Sequence, residues 1–219
     1  MISHTVTCKK GGLVTARHNE LLDGVADLAG KAFTPYHVRK DPLIYSGRAV
    51  KQTMTTPESK KISEHPAALE VTEQKGDLLI RELWQQGTDR VHGMCVVNTD
   101  ALTYQLKEPE KCLHEAEKRK KKMYLEACIQ QRRYFSPFVA SVDGPLGVEA
   151  TATLKRIASR LATKLKQSYS KMCGYVKSRI TITLVRATHC CIRGSQVPAQ
   201  RISVQRPHWE NCSGLNLFR

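Results

Sequence analysis

The chain has 219 residues, 41% of them hydrophobic, which is enough to bury a real core and fits one or two domains. Its formal charge of +15, with a pI near 9.6, points to a polyanionic partner, most simply nucleic acid. No run nears the ~18 apolar residues of a membrane span, no apolar signal core follows Met1, and the eight scattered cysteines include no CxxC pair, so an intracellular protein with reduced thiols and no membrane partner is expected.

The excess charge is uneven. Residues 151–219 hold thirteen Lys and Arg against one acid, Glu210, a net +12 that leaves +3 for residues 1–150.

Residues 17–33 fit a helix, with Leu21, Leu22, Val25, Leu28, Ala29, Ala32 and Phe33 at three- and four-residue steps and Thr34-Pro35 as its stop. Residues 34–76 are polar and contain Pro35, Pro42, Pro57 and Pro66; residues 47–74 read as a flexible polar insertion. A β-hairpin is predicted over 77–97. Leu78-Leu-Ile80 and Leu83-Trp84 form its first strand, Gln85–Asp89 the turn, and Val91, Met94, Val96 and Val97 the return strand.

Residues 108–133 form a charged helix in which Lys118, Lys121 and Lys122 can pair with Glu115 and Glu117. Phe135–Val142 is a third strand, with Ser136-Pro137 at its start, and Asp143–Gly147 a turn. Residues 148–166 give an amphipathic helix with Leu154, Ile157, Ala158, Leu161, Ala162 and Leu165 on its apolar side. Residues 170–191 form a further helix, although Ile180–Leu184 alternates like a strand; Arg193-Gly194 closes it. The order helix–strand–strand–helix–strand–helix is α/β with a mixed sheet.

Several marks occur in order along the chain. They are His4-x-x-x-Cys8-Lys-Lys-Gly-Gly12, Arg17-His-Asn-Glu20, Gly76-Asp77-Leu-Leu-Ile80, Lys122-x-Tyr124, Phe135–Gly147 followed by x-Glu149-Ala150, and Cys191-Ile-Arg-Gly194. In this order and spacing the chain resembles the C-terminal, restriction-endonuclease-like region of non-LTR-like retroelement polyproteins, downstream of the reverse transcriptase. The resemblance implies a PD-(D/E)xK-like core of helix, β-hairpin, helix and strand, with a basic C-terminal helical extension. It divides the chain into a zinc-knuckle remnant and first core helix (1–46), the insertion (47–74), the α/β core (75–150), the basic helices (151–191) and a basic tail (192–219). No Tyr/Phe-x-Asp-Asp polymerase motif is present, so no DNA synthesis is expected.

In such nucleases two carboxylates hold Mg²⁺ or Mn²⁺ against the scissile phosphate and a Lys handles the attacking water. The resemblance assigns the first acid to Asp77, an accessory acid and weak metal ligand to Glu20, and the phosphate-approaching helix to Lys122 and Tyr124. The second acid and the base positions hold Gly93 and Cys95. Gly93 cannot bind a metal, and a Cys thiol is a soft ligand that stays largely protonated at neutral pH. His4 and Cys8 resemble half of a zinc knuckle, with His18 the nearest further candidate; two ligands do not make a structural site, and zinc is not expected.

Phosphate contacts are expected from Lys155, Arg156, Arg160, Lys164, Lys166, Arg179, Arg186 and Arg193. The expected function is therefore DNA or RNA binding with a degenerate endonuclease site. A weakly active metal-dependent endonuclease, a protein-interaction relic and a decayed copy that folds poorly remain as alternatives. The resemblance implies a nuclear location for a functional copy and is compatible with a homodimer.

Overall fold

A computed structural model describes residues 12–49, 70–104 and 106–194. The chain is mixed α/β. Helix α1 (Leu13–Ala32) is followed by a 3-10 turn (Pro35–His37) and strands β1 (Val38–Lys40), β2 (Leu43–Ala49), β3 (Glu70–Lys75), β4 (Leu78–Arg81) and β5 (Asp89–Val97). Helix α2 (Pro109–Gln130), strand β6 (Tyr134–Ser141), helix α3 (Val148–Leu165) and helix α4 (Tyr169–Gly194) complete it.

The main sheet has the order β1-β4-β5-β6, and β2 pairs with β3 in a separate two-stranded ribbon. β4 runs antiparallel to β1 and β5, whereas β6 runs parallel to β5. A parallel pair needs a long crossover, which α2 supplies. Pro137 lies inside β6 rather than at its start. It is tolerated there because β6 is an edge strand, so no second neighbour requires its missing N–H. The first hairpin strand stops at Arg81, before Leu83-Trp84, because Glu82 adopts a positive φ of 57°.

Alternation along the strands divides the sheet's two faces. Leu78, Ile80, Met94, Phe138 and Ala140 point to one side, where they join Leu21, Val25 and Leu28 of α1, Leu154, Ile157 and Leu161 of α3, and Val176, Ile180 and Leu184 of α4 in one buried cluster. α3 and α4 are thus part of the main core. Ile180–Leu184 is helical: Val176, Ile180 and Leu184 recur every four residues on the buried side, while Ile182 faces out.

The other face carries α2. It has two smaller clusters: Ile44, Leu79, Val91, Cys128 and Phe135, and Val97, Leu113, Ala116 and Val139.

The flexible insertion read over 47–74 is corrected at both ends, since 43–49 and 70–75 pair as β2 and β3. Residues 50–69 lie outside the described residues, as do His4, Cys8 and residues 195–219 of the tail; residues 192–194 continue α4. The expected α2 ion pairs also differ. Glu115 takes Lys107 at 2.8 Å, Lys121 pairs with Glu149 of α3, and Glu117 is buried.

Candidate functional site

Asp77 stands between the β2–β3 ribbon and the main sheet. Its backbone is fixed from both sides: its N–H donates to the His92 carbonyl at 3.1 Å, and its carbonyl accepts from the Asp41 N–H at 3.1 Å. The pairing of Leu78 with His92 continues to set Asp77 beside Gly93, on the face that α2 covers. The expected juxtaposition of positions 77 and 93 is present, and Cys95 follows two residues on with the same orientation.

Three groups converge on the Asp77 carboxylate. The Met94 N–H donates to Oδ2 at 2.5 Å. His18 Nε2 of α1 lies 3.5 Å from Oδ1, and Lys120 Nζ of α2 lies 3.7 Å from Oδ2. Burial works to raise the Asp77 carboxyl, but His18, Lys120 and the Met94 N–H outweigh it and hold it below the ordinary carboxylate range. His18 is raised in turn, chiefly by its contact with Asp77 and against its own burial. Its other nitrogen, Nδ1, faces Asn19 Oδ1 at 3.3 Å. Burial raises the Cys95 thiol, with Lys120, Arg119 and Arg17 offsetting part of the effect, which favours its protonated form at neutral pH.

The space beside Gly93 is filled. A Cβ there would stand 2.9 Å from Phe135 Cζ and 3.4 Å from Lys120 Cδ. Phe135 is itself held by Tyr124, with ring centroids 5.5 Å apart, and the Lys120 ammonium lies 5.3 Å from the centre of the Tyr124 ring. Lys120 therefore lays its stem where a second acid would project and its charge where a cation would meet Asp77.

This donor set does not suit Mg²⁺ or Mn²⁺, which want several oxygen ligands in an octahedral shell. Asp77 supplies one carboxylate, already paired with the Lys120 ammonium and in contact with the His18 imidazole. Among the described residues no group of three His, Cys, Asp or Glu is arranged to hold a metal. Glu20 is exposed on α1 and has no contact with Asp77; two residues from His18, it lies on a different side of the helix. Lys122 is likewise exposed, two residues from the inward Lys120, whereas Tyr124 adjoins the site.

No protein family, curated protein or solved structure matches this chain.

The expected phosphate-binding residues fall into two groups. Arg156 Nε donates to the Leu83 carbonyl at 2.8 Å and its Nη2 to the Trp84 carbonyl at 3.2 Å. Lys164 donates to the Lys31 and Phe33 carbonyls at 2.7 and 3.0 Å, capping the end of α1. Arg160 stacks on Phe33, and Arg179 pairs with Asp27 at 3.3 Å. Of the residues expected to meet phosphate, Arg156 and Lys164 thus bind this chain's own backbone carbonyls. Lys155, Lys166, Arg186 and Arg193 are exposed, without a partner among the described residues.

Sequence reasoning missed Lys120 and the His18–Asp77 contact. The signal for Lys120 was the phase of α2: Ala116 and Cys128 are buried and Tyr124 is half-buried, and Lys120 completes that four-residue stripe. The His18 contact is long-range and leaves no local pattern.

Proposed function

We propose that this chain binds nucleic acid through its phosphate backbone and carries a PD-(D/E)xK-like site that has lost metal-dependent cleavage, as a retroelement-derived module. The observation that carries the reading is the substitution at the centre of the site. Position 93, beside Asp77, has no side chain, and the Lys120 ammonium and the His18 imidazole meet the remaining carboxylate. Such a site can attract phosphate at Lys120, but it has no paired carboxylates to hold the ion that would activate water. Exposed Lys155, Lys166, Arg186 and Arg193, without a partner among the described residues, support the binding half of the proposal.

The experiment has two arms. Binding of a labelled DNA duplex is measured across a salt series; with about four phosphate contacts the log–log slope should be about −3 to −4. No binding at low salt overturns the proposal. Nicking of supercoiled plasmid is then measured with Mg²⁺ or Mn²⁺ for the wild type, Asp77→Ala, and the triple variant Gly93→Asp, Cys95→Lys, Phe135→Leu, whose third change makes room for the restored acid. Silence from the wild type with cutting by the triple variant is the expected result. Wild-type cutting that Asp77→Ala abolishes means that another carboxylate completes a working site.

A further inference from the structure

A second cluster lies at the end of the main sheet, where β5 and β6 begin. Arg90 of β5 is in register with Tyr134, the first residue of β6, and Trp84 sits in the turn after β4. The Arg90 guanidinium carbon is 5.6 Å from the centre of the Trp84 ring and 5.2 Å from that of Tyr134. Its Nη1 donates to Ser136 Oγ at 2.7 Å, which fixes the guanidinium between the two rings.

The rings do not serve the core. Trp84 is 39% exposed and Tyr134 51%, and neither belongs to an apolar cluster. Aromatic side chains stabilise a fold mainly by burying their large surface, which these two do not do. The backbone beneath Trp84 is nonetheless anchored. Leu83 is fully buried, and Arg156 of α3 holds the carbonyls of both Leu83 and Trp84.

The electrostatics of this end favour an anion. The carboxylates Glu82, Asp89 and Glu149 are engaged by His37, Arg81 and Lys121. Exposed Arg132 lies two residues before the platform strand.

We propose that Trp84, Arg90 and Tyr134 form a stacking platform for the bases of single-stranded nucleic acid. Any base offers a π-face to an exposed ring, and a guanidinium between two rings adds cation–π attraction and a contact for the intervening phosphate. A duplex keeps its base faces stacked on one another and cannot use the platform. The inference rests on the nucleic-acid reading above and adds to it the form of the ligand and a place for its bases, apart from the Asp77 site.

The test compares a fluorescein-labelled oligothymidylate with a duplex of equal length at one low salt concentration, for the full chain and its Trp84→Ala, Tyr134→Ala and Trp84→Phe variants. Each alanine should weaken single-strand binding by about 5- to 150-fold and leave duplex binding unchanged, while Trp84→Phe, which keeps a ring, recovers most of the loss. Unchanged single-strand affinity in both alanine variants overturns the platform, as does an equal loss on both ligands, which would mean general damage. If the variants melt at the wild-type temperature but the wild type binds neither ligand, it is the nucleic-acid reading beneath that fails.

Discussion

The two faces of the four-stranded sheet are built on different terms. The face under α1, α3 and α4 is one continuous apolar cluster running from Leu21 to Leu184. The face under α2 is interrupted: one small cluster ends at Phe135 and Val91, another begins at Ala116 and Val139, and between them lie Asp77, Gly93 and Lys120. The first face is where the fold gains its stability. The second gives up packing at its centre to hold charges in water's reach, which is the local exception expected where a surface has been shaped by chemistry rather than by folding.

The contrast can be broken or sharpened by mutation. Phe138→Ala, at the fully buried centre of the apolar face, should cost about 3–5 kcal/mol in urea denaturation; a cost below ~1 kcal/mol would mean that this face is not the structural one.

His92 gives the next effect. It points into the apolar face, wholly buried, with neither ring nitrogen in hydrogen-bonding geometry, although the nearby Ser136 backbone offsets part of the penalty. Burial and the neighbouring Arg90 push it down to about 3. Its folded value lies below its unfolded one, so the neutral imidazole's contribution is complete above ~6.5 and is lost as pH falls toward 3, by about 2 kcal/mol at pH 5. His92→Leu should flatten the acid limb of stability against pH; an unchanged limb would show that other groups set it.

On the charged face the sign reverses. His18 is raised by Asp77, so the stability it contributes is complete below ~6.5 and fades as pH rises through its folded value. Asp77→Asn should return the His18 imidazole toward its ordinary titration, followed by proton NMR, and should cost about 1–2 kcal/mol by weakening the Met94 contact. An unmoved His18 titration would dissolve the cluster. Lys164→Met, which uncaps α1, should cost the least, about 0.3–1 kcal/mol in thermal melting.

The sequence carried the apolar face clearly. Leu21, Val25 and Leu28 announced α1, and Leu154, Ile157 and Leu161 announced α3, because a wide apolar stripe repeats with the helix period. The strands β1 and β3 were hidden, since Val38-Arg-Lys40 and Glu70–Lys75 are short and polar and exist by pairing with partners that local pattern does not name. At the site, the grouping of Asp77 with Gly93 came from the resemblance, and the β4–β5 register sets the two side by side. In Arg119–Lys122 every residue is a cation, so composition could not tell Lys120 from Lys122; the helix phase set by Ala116 and Tyr124 could.

Glu117 has a consequence beyond its own burial. Its carboxylate fills the place a side chain at Gly147 would take and accepts the Glu149 N–H at 3.2 Å, so α2 supplies an acid to the first turn of α3. Further along, α3 grips the Leu83 and Trp84 carbonyls through Arg156. α3 is thus pinned at its first turn and again at its middle. One pin lies a single helical turn from Lys120 and the other on the backbone beneath the Trp84 ring, so the spacing between the charged centre and the aromatic platform is held by a rigid rod rather than by a loop.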